Sequence, residues 1–263
     1  MTRAEAIGGG LASVRHRVAE AARAAGRAAD SVRLVAVSKK MPPEDIAAAL
    51  AAGQLDFGEN YAQELRDKRT SFPGTLGGLP DPPAADSARA KPEVPPHEAG
   101  PQPVWHFIGP LQSNKVKYVA GNVALIHSID SIALLDEIDK HGHDDACLIQ
   151  VNLAGESQKR GVAPAALPAM LDHVATLSHV RCVGLMLIPP NAAPAVNRPL
   201  FAALRALRDR EAAIARPRVD LRELSMGMSD DFEVAIAEGA TLVRIGTAIF
   251  GSRPSRAAVS PGA

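Results

Sequence analysis

Eight short apolar runs, most of them separated by helix-like stretches, constrain this sequence more than any other feature. They are Leu34–Ser38, Leu55–Phe57, Val104–Ile108, Ala124–His127, Leu148–Leu153, Val183–Ile188, Leu221–Ser225 and Thr241–Ile245. Short apolar runs of this kind read as buried strands, and βα alternation implies a parallel sheet covered by helices. Eight strands close a (β/α)8 TIM barrel, and a chain of 263 residues suits one such domain. An open doubly wound sheet is the alternative. It usually binds its ligand through a GxGxxG turn near the first strand, and the sequence has none. The expected fold is an α/β single domain, a (β/α)8 barrel spanning 1–263 with an extra N-terminal helix.

Local signals place the helices. Thr2 and Glu5 have capping-box spacing, and Leu11, Val14, Val18 and Ala22 recur at helical intervals, so 3–27 reads as a helix. Gly8-Gly9-Gly10 is expected to weaken its first turns. Pro43 suits a first helical position, with Gly53 as the stop. Residues 131–140, 165–178 and 199–214 have helical spacing. Asp230 and Glu233 form a second capping-box pattern, for a helix running to Glu238 and stopped by Gly239. Residues 72–103 are rich in Pro and Gly and poor in aliphatics, which predicts a disordered insertion, and 252–263 reads as a flexible tail.

Composition excludes several functions. Formal net charge is zero, which argues against nucleic acid or an anionic membrane as a general partner. No apolar stretch reaches the length of a membrane span, and the N-terminus lacks the apolar segment of a secretory signal. The expected location is the cytoplasm, where Cys147 and Cys182, both within apolar runs, would stay buried free thiols.

In a barrel, functional side chains sit at the carboxyl ends of strands. Those ends here carry Lys39 and Lys40, then Asn60, His106, Ser225, Ser229, Arg244, Gly246 and Thr247, among other polar residues. Strand alternation turns one of the two lysines into the mouth and the other outward. A lysine at an apolar rim loses charge through desolvation, and a deprotonated amine attacks aldehydes. A surface lysine at a strand end is the competing reading. Within 224–251, two successive strand ends offer small residues and free donors around one cation. Ser229 follows one run; Gly246 and Thr247 follow the next, opening a helix over 247–250, and Arg244 lies between. Free N–H groups at a helix start favour an anion, phosphate above all. Two ordinary Gly- and Ser-rich turns are the competing reading.

The motifs LVAVSKK, FGENYAQEL, WHFIGPLQSNK, IHSID, LIQVN, KRGV, GLMLIPP and LSMGMSDDFEVAIAEGATLVRIGTAIFG carry a resemblance. They are similar, in order, to the pyridoxal phosphate homeostasis protein family, whose fold resembles the barrel domain of alanine racemase. The resemblance runs from about residue 5 to 251, with 72–103 as the main departure. It implies pyridoxal 5′-phosphate (PLP) as cofactor, held as a covalent aldimine on Lys39 of the VSK motif. It implies Arg244 facing the pyridine nitrogen, and Ser229, Gly246 and Thr247 holding the phosphate. Ser225 lies in the same SMGMS motif, and Asn60 and His106 match family motifs at the mouth without an assigned contact.

A guanidinium beside the ring nitrogen weakens the cofactor as an electron sink. A racemase also needs acids or bases on both faces of the substrate carbon. Racemase relatives take one from a second domain, which is not expected here because the chain ends twelve residues after Gly251. Tyr61 and Tyr118 lie outside the VSK and RIGT motifs. The resemblance therefore implies a cofactor-binding protein that holds or delivers PLP, maintains its level and does not turn over amino acids efficiently. PLP and PLP-requiring apo-enzymes are the partners of such a role, and the chain is expected to be a monomer. A minimal PLP-dependent racemase or lyase is the runner-up; a purely structural barrel would make the lysine and the phosphate cup coincidental.

Overall fold

Each apolar run becomes a strand in the computed structural model, which describes residues 1–72, 101–156 and 158–251. The strands are β1 (Arg33–Val37), β2 (Asp56–Glu59), β3 (Val104–Phe107), β4 (Leu125–Ile129), β5 (Asp145–Gln150), β6 (Val180–Met186), β7 (Val219–Ser225) and β8 (Leu242–Ile245). They pair in chain order as a closed parallel barrel, with β8 returning to β1 through Arg33↔Leu242 to Ala36↔Ile245. The expected (β/α)8 barrel is thus the fold. The helices are α1 (Arg3–Ala24), α2 (Pro43–Ala51), α3 (Ala62–Ser71), α4 (Ile132–Asp139), α5 (Leu167–Val174), α6 (Pro194–Ala212), α7 (Phe232–Ala237) and α8 (Thr247–Phe250).

The apolar core has two parts, as strand alternation requires. Val35, Leu125, Leu148, Met186 and Leu242 fill the barrel interior. A larger cluster, including Phe57, Trp105, Phe201 and Phe250, lies between strands and helices. Cys147 and Cys182 are register partners in that outer layer, both buried as free thiols.

Element ends differ from the expected ones where buried polar groups intervene. β5 starts at Asp145, three residues before its apolar run, because the Asp145 carboxylate accepts the Gly121 N–H at 2.9 and 3.2 Å. α6 starts at Pro194 and contains Pro199, five residues earlier than expected. The expected Asp230–Glu233 capping box is absent. Asp231 is the N-cap instead; its carboxylate accepts the Met228 N–H at 2.7 Å and the Asn197 Nδ2 at 3.0 Å, while Glu233 pairs with Arg17. The expected insertion falls mostly on residues outside those described, and the expected tail, 252–263, does so entirely. Its flanks belong to the fold: Phe72 packs edge-on against Trp105 at 6.2 Å.

α1 has the expected capping box, with Thr2 Oγ1 accepting the Glu5 N–H at 3.2 Å and Glu5 Oε2 accepting the Thr2 N–H at 2.7 Å. The three glycines do not break it. A Cβ at Gly10 would lie 2.8 Å from the Ile249 carbonyl oxygen and 3.0 Å from that of Ala248, so its absence lets α1 seat on the backbone of α8. Gly8 and Gly9 have open space at that position. Gly8→Ala should therefore stabilise the protein by about 0.5–1 kcal/mol through helix propensity. Gly10→Ala should destabilise it by about 1–3 kcal/mol through overpacking. Shifts of opposite sign in the urea midpoint are the expected result; the same sign for both would remove the packing role of Gly10.

Candidate functional site

A cavity of about 330 Å³ opens at the carboxyl ends of the strands. Lys39 lines it from the end of β1, Asn60 from β2, Ser229 from the turn after β7, and Arg244, Gly246 and Thr247 from β8 and α8. Lys40 does not line it. Alternation separates the two lysines as expected: Lys39 is half-buried, whereas Lys40 is exposed with a left-handed φ of 62°.

The Lys39 loop is braced from outside the barrel. Lys68 on α3, buried, donates from Nζ to the Ser38 carbonyl, to Glu59 Oε1 and to Glu64 Oε1, each at 2.7 Å. Ser38 Oγ donates to the same Glu59 oxygen at 2.6 Å, and the Lys40 N–H donates to Glu64 Oε1 at 2.5 Å. Both residues flanking Lys39 are therefore tied to one ion cluster. Burial pushes the Glu59 carboxyl above its usual range, against the pull of Lys68. On the other flank, a Cβ at Gly109 would fall 2.1 Å from the Asn60 carbonyl oxygen; only glycine lets the β3 loop press against Asn60.

The donors gather at the end of β8, which pairs with β1, and in the turn after β7. The Arg244 N–H bonds the Gly227 carbonyl at 3.0 Å, which clips the turn carrying Ser229 to β8. Gly246 is the N-cap of α8, so the first N–H groups of that helix have no partner within it. The Arg244 side chain is buried, and burial lowers its pKa to about 10, opposed by the charge of Asp231. It stays cationic at neutral pH. No carboxylate among the described residues pairs with it. Nη1 donates to Ser225 Oγ at 2.6 Å and Nη2 to the Leu187 carbonyl at 2.9 Å. Its remaining N–H hydrogens are free for an acceptor in the cavity.

The family of the alanine racemase N-terminal domain matches residues 10–254. The pyridoxal phosphate homeostasis protein of Pseudomonas aeruginosa is 41% identical over 249 residues, 92% of this chain and 94% of that one. Among solved structures, a protein from Bifidobacterium adolescentis superposes with a TM-score of 0.81 at 37% identity, over 94% of this chain and 96% of the other. PipY of Synechococcus elongatus PCC7942, solved with PLP bound, superposes with a TM-score of 0.72 at 34% identity, over 93% of this chain and all of that one. The chain belongs to the pyridoxal phosphate homeostasis protein family.

The cavity lining brings together an amine, two hydroxyl-bearing residues and a buried cation. It also holds an orphan, because Asn60 Oδ1 is buried without a partner. A ligand hydroxyl or protonated nitrogen would satisfy it. Among the described residues no group of His, Cys, Asp or Glu could hold a metal ion, and no helix is long and apolar enough to cross a membrane.

Six of the eight sequence-derived candidates of this family member meet in the cavity: Lys39, Asn60, Ser229, Arg244, Gly246 and Thr247. His106 and Ser225 do not. His106, expected at the mouth, faces the barrel interior beneath it, where Nδ1 meets His127 Nε2 at 2.9 Å and Nε2 meets Asp56 Oδ1 at 3.0 Å. It is the third of the four residues of β3, and alternation with Trp105 and Phe107, which pack in the outer layer, turns its side chain inward. Ser225 lies below the cavity as the Arg244 acceptor. Sequence reasoning missed Lys68 and Glu64, whose only local signal was their i, i+4 spacing. It also missed Asp230, which lines the cavity beside Ser229.

Proposed function

We propose that this protein binds PLP at the barrel mouth, covalently through Lys39, and holds or delivers it without efficient amino-acid turnover. The observation that carries the reading is the meeting, in one cavity, of Lys39, a buried guanidinium with no carboxylate partner among the described residues, and the Ser229, Gly246 and Thr247 donors. The family's name and the PLP-bound PipY support it. When bound, the cofactor supplies an aldehyde that condenses with amines and a pyridine ring that can accept electrons. Lys39 would supply the amine for that condensation. Ser229, Gly246 and Thr247 hold the phosphate through hydroxyl and backbone donors. Asn60 takes the hydrogen bond its buried oxygen lacks. Arg244, cationic at neutral pH, would donate to the ring nitrogen and disfavour its protonation, which would make the ring a poor electron sink. Two buried free thiols suit a reducing compartment, and the reading places the protein in the cytoplasm, as a monomer serving PLP-requiring apo-enzymes.

Turnover needs acid–base groups on both faces of a substrate carbon. Among the described residues, no histidine or tyrosine lines the cavity. Asp230 does, and it is the one observation that favours the runner-up, a minimal racemase or lyase with Lys39 and Asp230 as the two bases. The PLP-loaded protein in heavy water distinguishes the readings. Exchange at the amino-acid α-carbon is expected far below the range of about 1 to 10³ per second typical of enzymes. Exchange within that range, lost in Lys39→Ala and in Asp230→Asn, would replace the carrier reading by the catalytic one.

A further inference from the structure

The interior of a (β/α)8 barrel is ordinarily filled by branched aliphatic side chains. Here a continuous row of polar groups crosses it. Arg244 on β8 donates to Ser225 Oγ on β7 at 2.6 Å. Ser225 Oγ meets His127 Nδ1 on β4 at 2.8 Å. His127 Nε2 meets His106 Nδ1 on β3 at 2.9 Å, and His106 Nε2 meets Asp56 Oδ1 on β2 at 3.0 Å. Arg244, Ser225, His127 and His106 are all buried. Asp56 opens β2 at the amino end of the barrel, opposite the cavity, and its side chain is 23% exposed.

The two ends fix the direction of the two outer bonds, and the need to satisfy every buried group fixes the inner two. A guanidinium only donates and a carboxylate only accepts. Ser225 Oγ accepts from Arg244, so its hydroxyl hydrogen is free to go to His127 Nδ1. His127 then carries its hydrogen on Nε2 and gives it to His106 Nδ1. His106 carries its own on Nε2 and gives it to Asp56. Every buried donor and acceptor in the row is then satisfied, with both imidazoles as neutral Nε2–H tautomers. The opposite arrangement, with His106 charged against Asp56, sends His127 Nδ1–H into Ser225. That leaves the Ser225 hydroxyl hydrogen without an acceptor and puts a second cation in line with Arg244. Burial foremost, then His106, Arg244 and Arg33 on β1, hold the His127 imidazole well below its usual range, so it is neutral in either arrangement; the satisfied hydrogen bonds are what select the first.

We propose that Asp56–His106–His127–Ser225 is a one-way hydrogen-bond relay through the barrel that orients the Arg244 guanidinium toward the ring end of the site, which makes Asp56 a remote positioning residue. The cofactor part of this inference rests on PLP as the ligand; the direction of the relay does not. Asp56 lies on the face away from the cavity and touches no cavity-lining group in the row except through three intermediates. A guanidinium held only by a serine and a carbonyl can swing. With the relay polarised by a carboxylate at its far end, Ser225 presents one lone-pair direction to Nη1, and the remaining N–H hydrogens keep a fixed heading into the cavity.

The test uses the full chain. Nitrogen-15 NMR of the cofactor-free wild type should show His106 and His127 as Nε2–H tautomers. Asp56→Asn, which has nearly the same shape but can also donate, should change at least the His106 tautomer, and Asp56→Glu should restore it. With PLP added, Asp56→Asn should shift the visible band and weaken PLP and pyridoxal by the same factor, about five-fold or more, in the range of ordinary site-to-site coupling. An equal loss for both ligands marks the ring end, because a defect at the phosphate end would fall on PLP alone. An Nδ1–H tautomer or a charged imidazole at either histidine in the wild type would overturn the relay, whether or not the variants fold. Unchanged spectra and affinities in a folded Asp56→Asn would overturn the role of Asp56. A wild type that takes up no PLP would sink the reading of the site and the cofactor half of this proposal, while the tautomer measurement decides the relay separately.

Discussion

In Lys39→Ala, the visible absorption that develops when PLP meets the wild-type protein is expected to be lost altogether, whereas Lys40→Ala should keep it. The difference follows from geometry. Lys39 lines the cavity, while Lys40 is exposed outside it and is tied to Glu64 through its backbone N–H, a bond that alanine retains. Lys40 has a left-handed φ of 62°, and alanine there carries the same strain, so the loop should hold its shape. Borohydride reduction followed by peptide mapping gives the direct reading. Label on the peptide position of Lys39 is the expected result; label on Lys40 would reassign the attachment. Noncovalent binding should survive in part in Lys39→Ala, because the phosphate donors and Arg244 are untouched.

Affinity should depend almost as strongly on the phosphate. Thr247 and Gly246 open α8, and Ser229 faces them from the turn that Arg244 clips to β8. A hydrogen bond to a charged oxygen is worth roughly 1.5–3 kcal/mol, so Thr247→Val, which keeps shape and loses the hydroxyl, should weaken PLP about ten-fold or more. Pyridoxal lacks the phosphate altogether and should bind the wild type far more weakly than PLP does. It should also be indifferent to Thr247→Val. Equilibrium titrations with both ligands on both proteins give the four affinities. Equal affinity of PLP and pyridoxal for the wild type would dismiss the phosphate role of Ser229, Gly246 and Thr247.

These two expectations rest on features that were legible in the chain itself. A strand-end lysine and two Gly- and Ser-rich strand ends are signals of a few consecutive residues, and the barrel brings strand ends together whatever the details of packing. The Thr2–Glu5 cap is equally local, and it forms. Where a local pattern competed with a tertiary contact, the contact prevailed. Asp230 and Glu233 have capping spacing, yet the adjacent Asp231 takes the N-cap position of α7, its carboxylate held by Asn197, on α6, and by the Met228 N–H rather than by the helix. The glycines of α1 read as a weakness, and at Gly10 the close backbone of α8 turns that weakness into a requirement.

The sequence by itself determined the eight-strand alternation, the single barrel, the placement of Lys39, Arg244, Ser229, Gly246 and Thr247 at strand ends, and the family. Each of these is written in side-chain period or in a run of neighbours along the chain. Only the tertiary structure decided that Lys68 and Glu64 brace the lysine loop, that His106 and Ser225 lie beneath the cavity, and that Asp56 connects to Arg244 across the barrel. Hydrogen bonds of the second kind join residues such as His127 and Ser225, 98 positions apart. No local pattern encodes such a pair; it exists because barrel closure turns their strands' interior faces toward one another, where a polar atom must find a partner or remain costly.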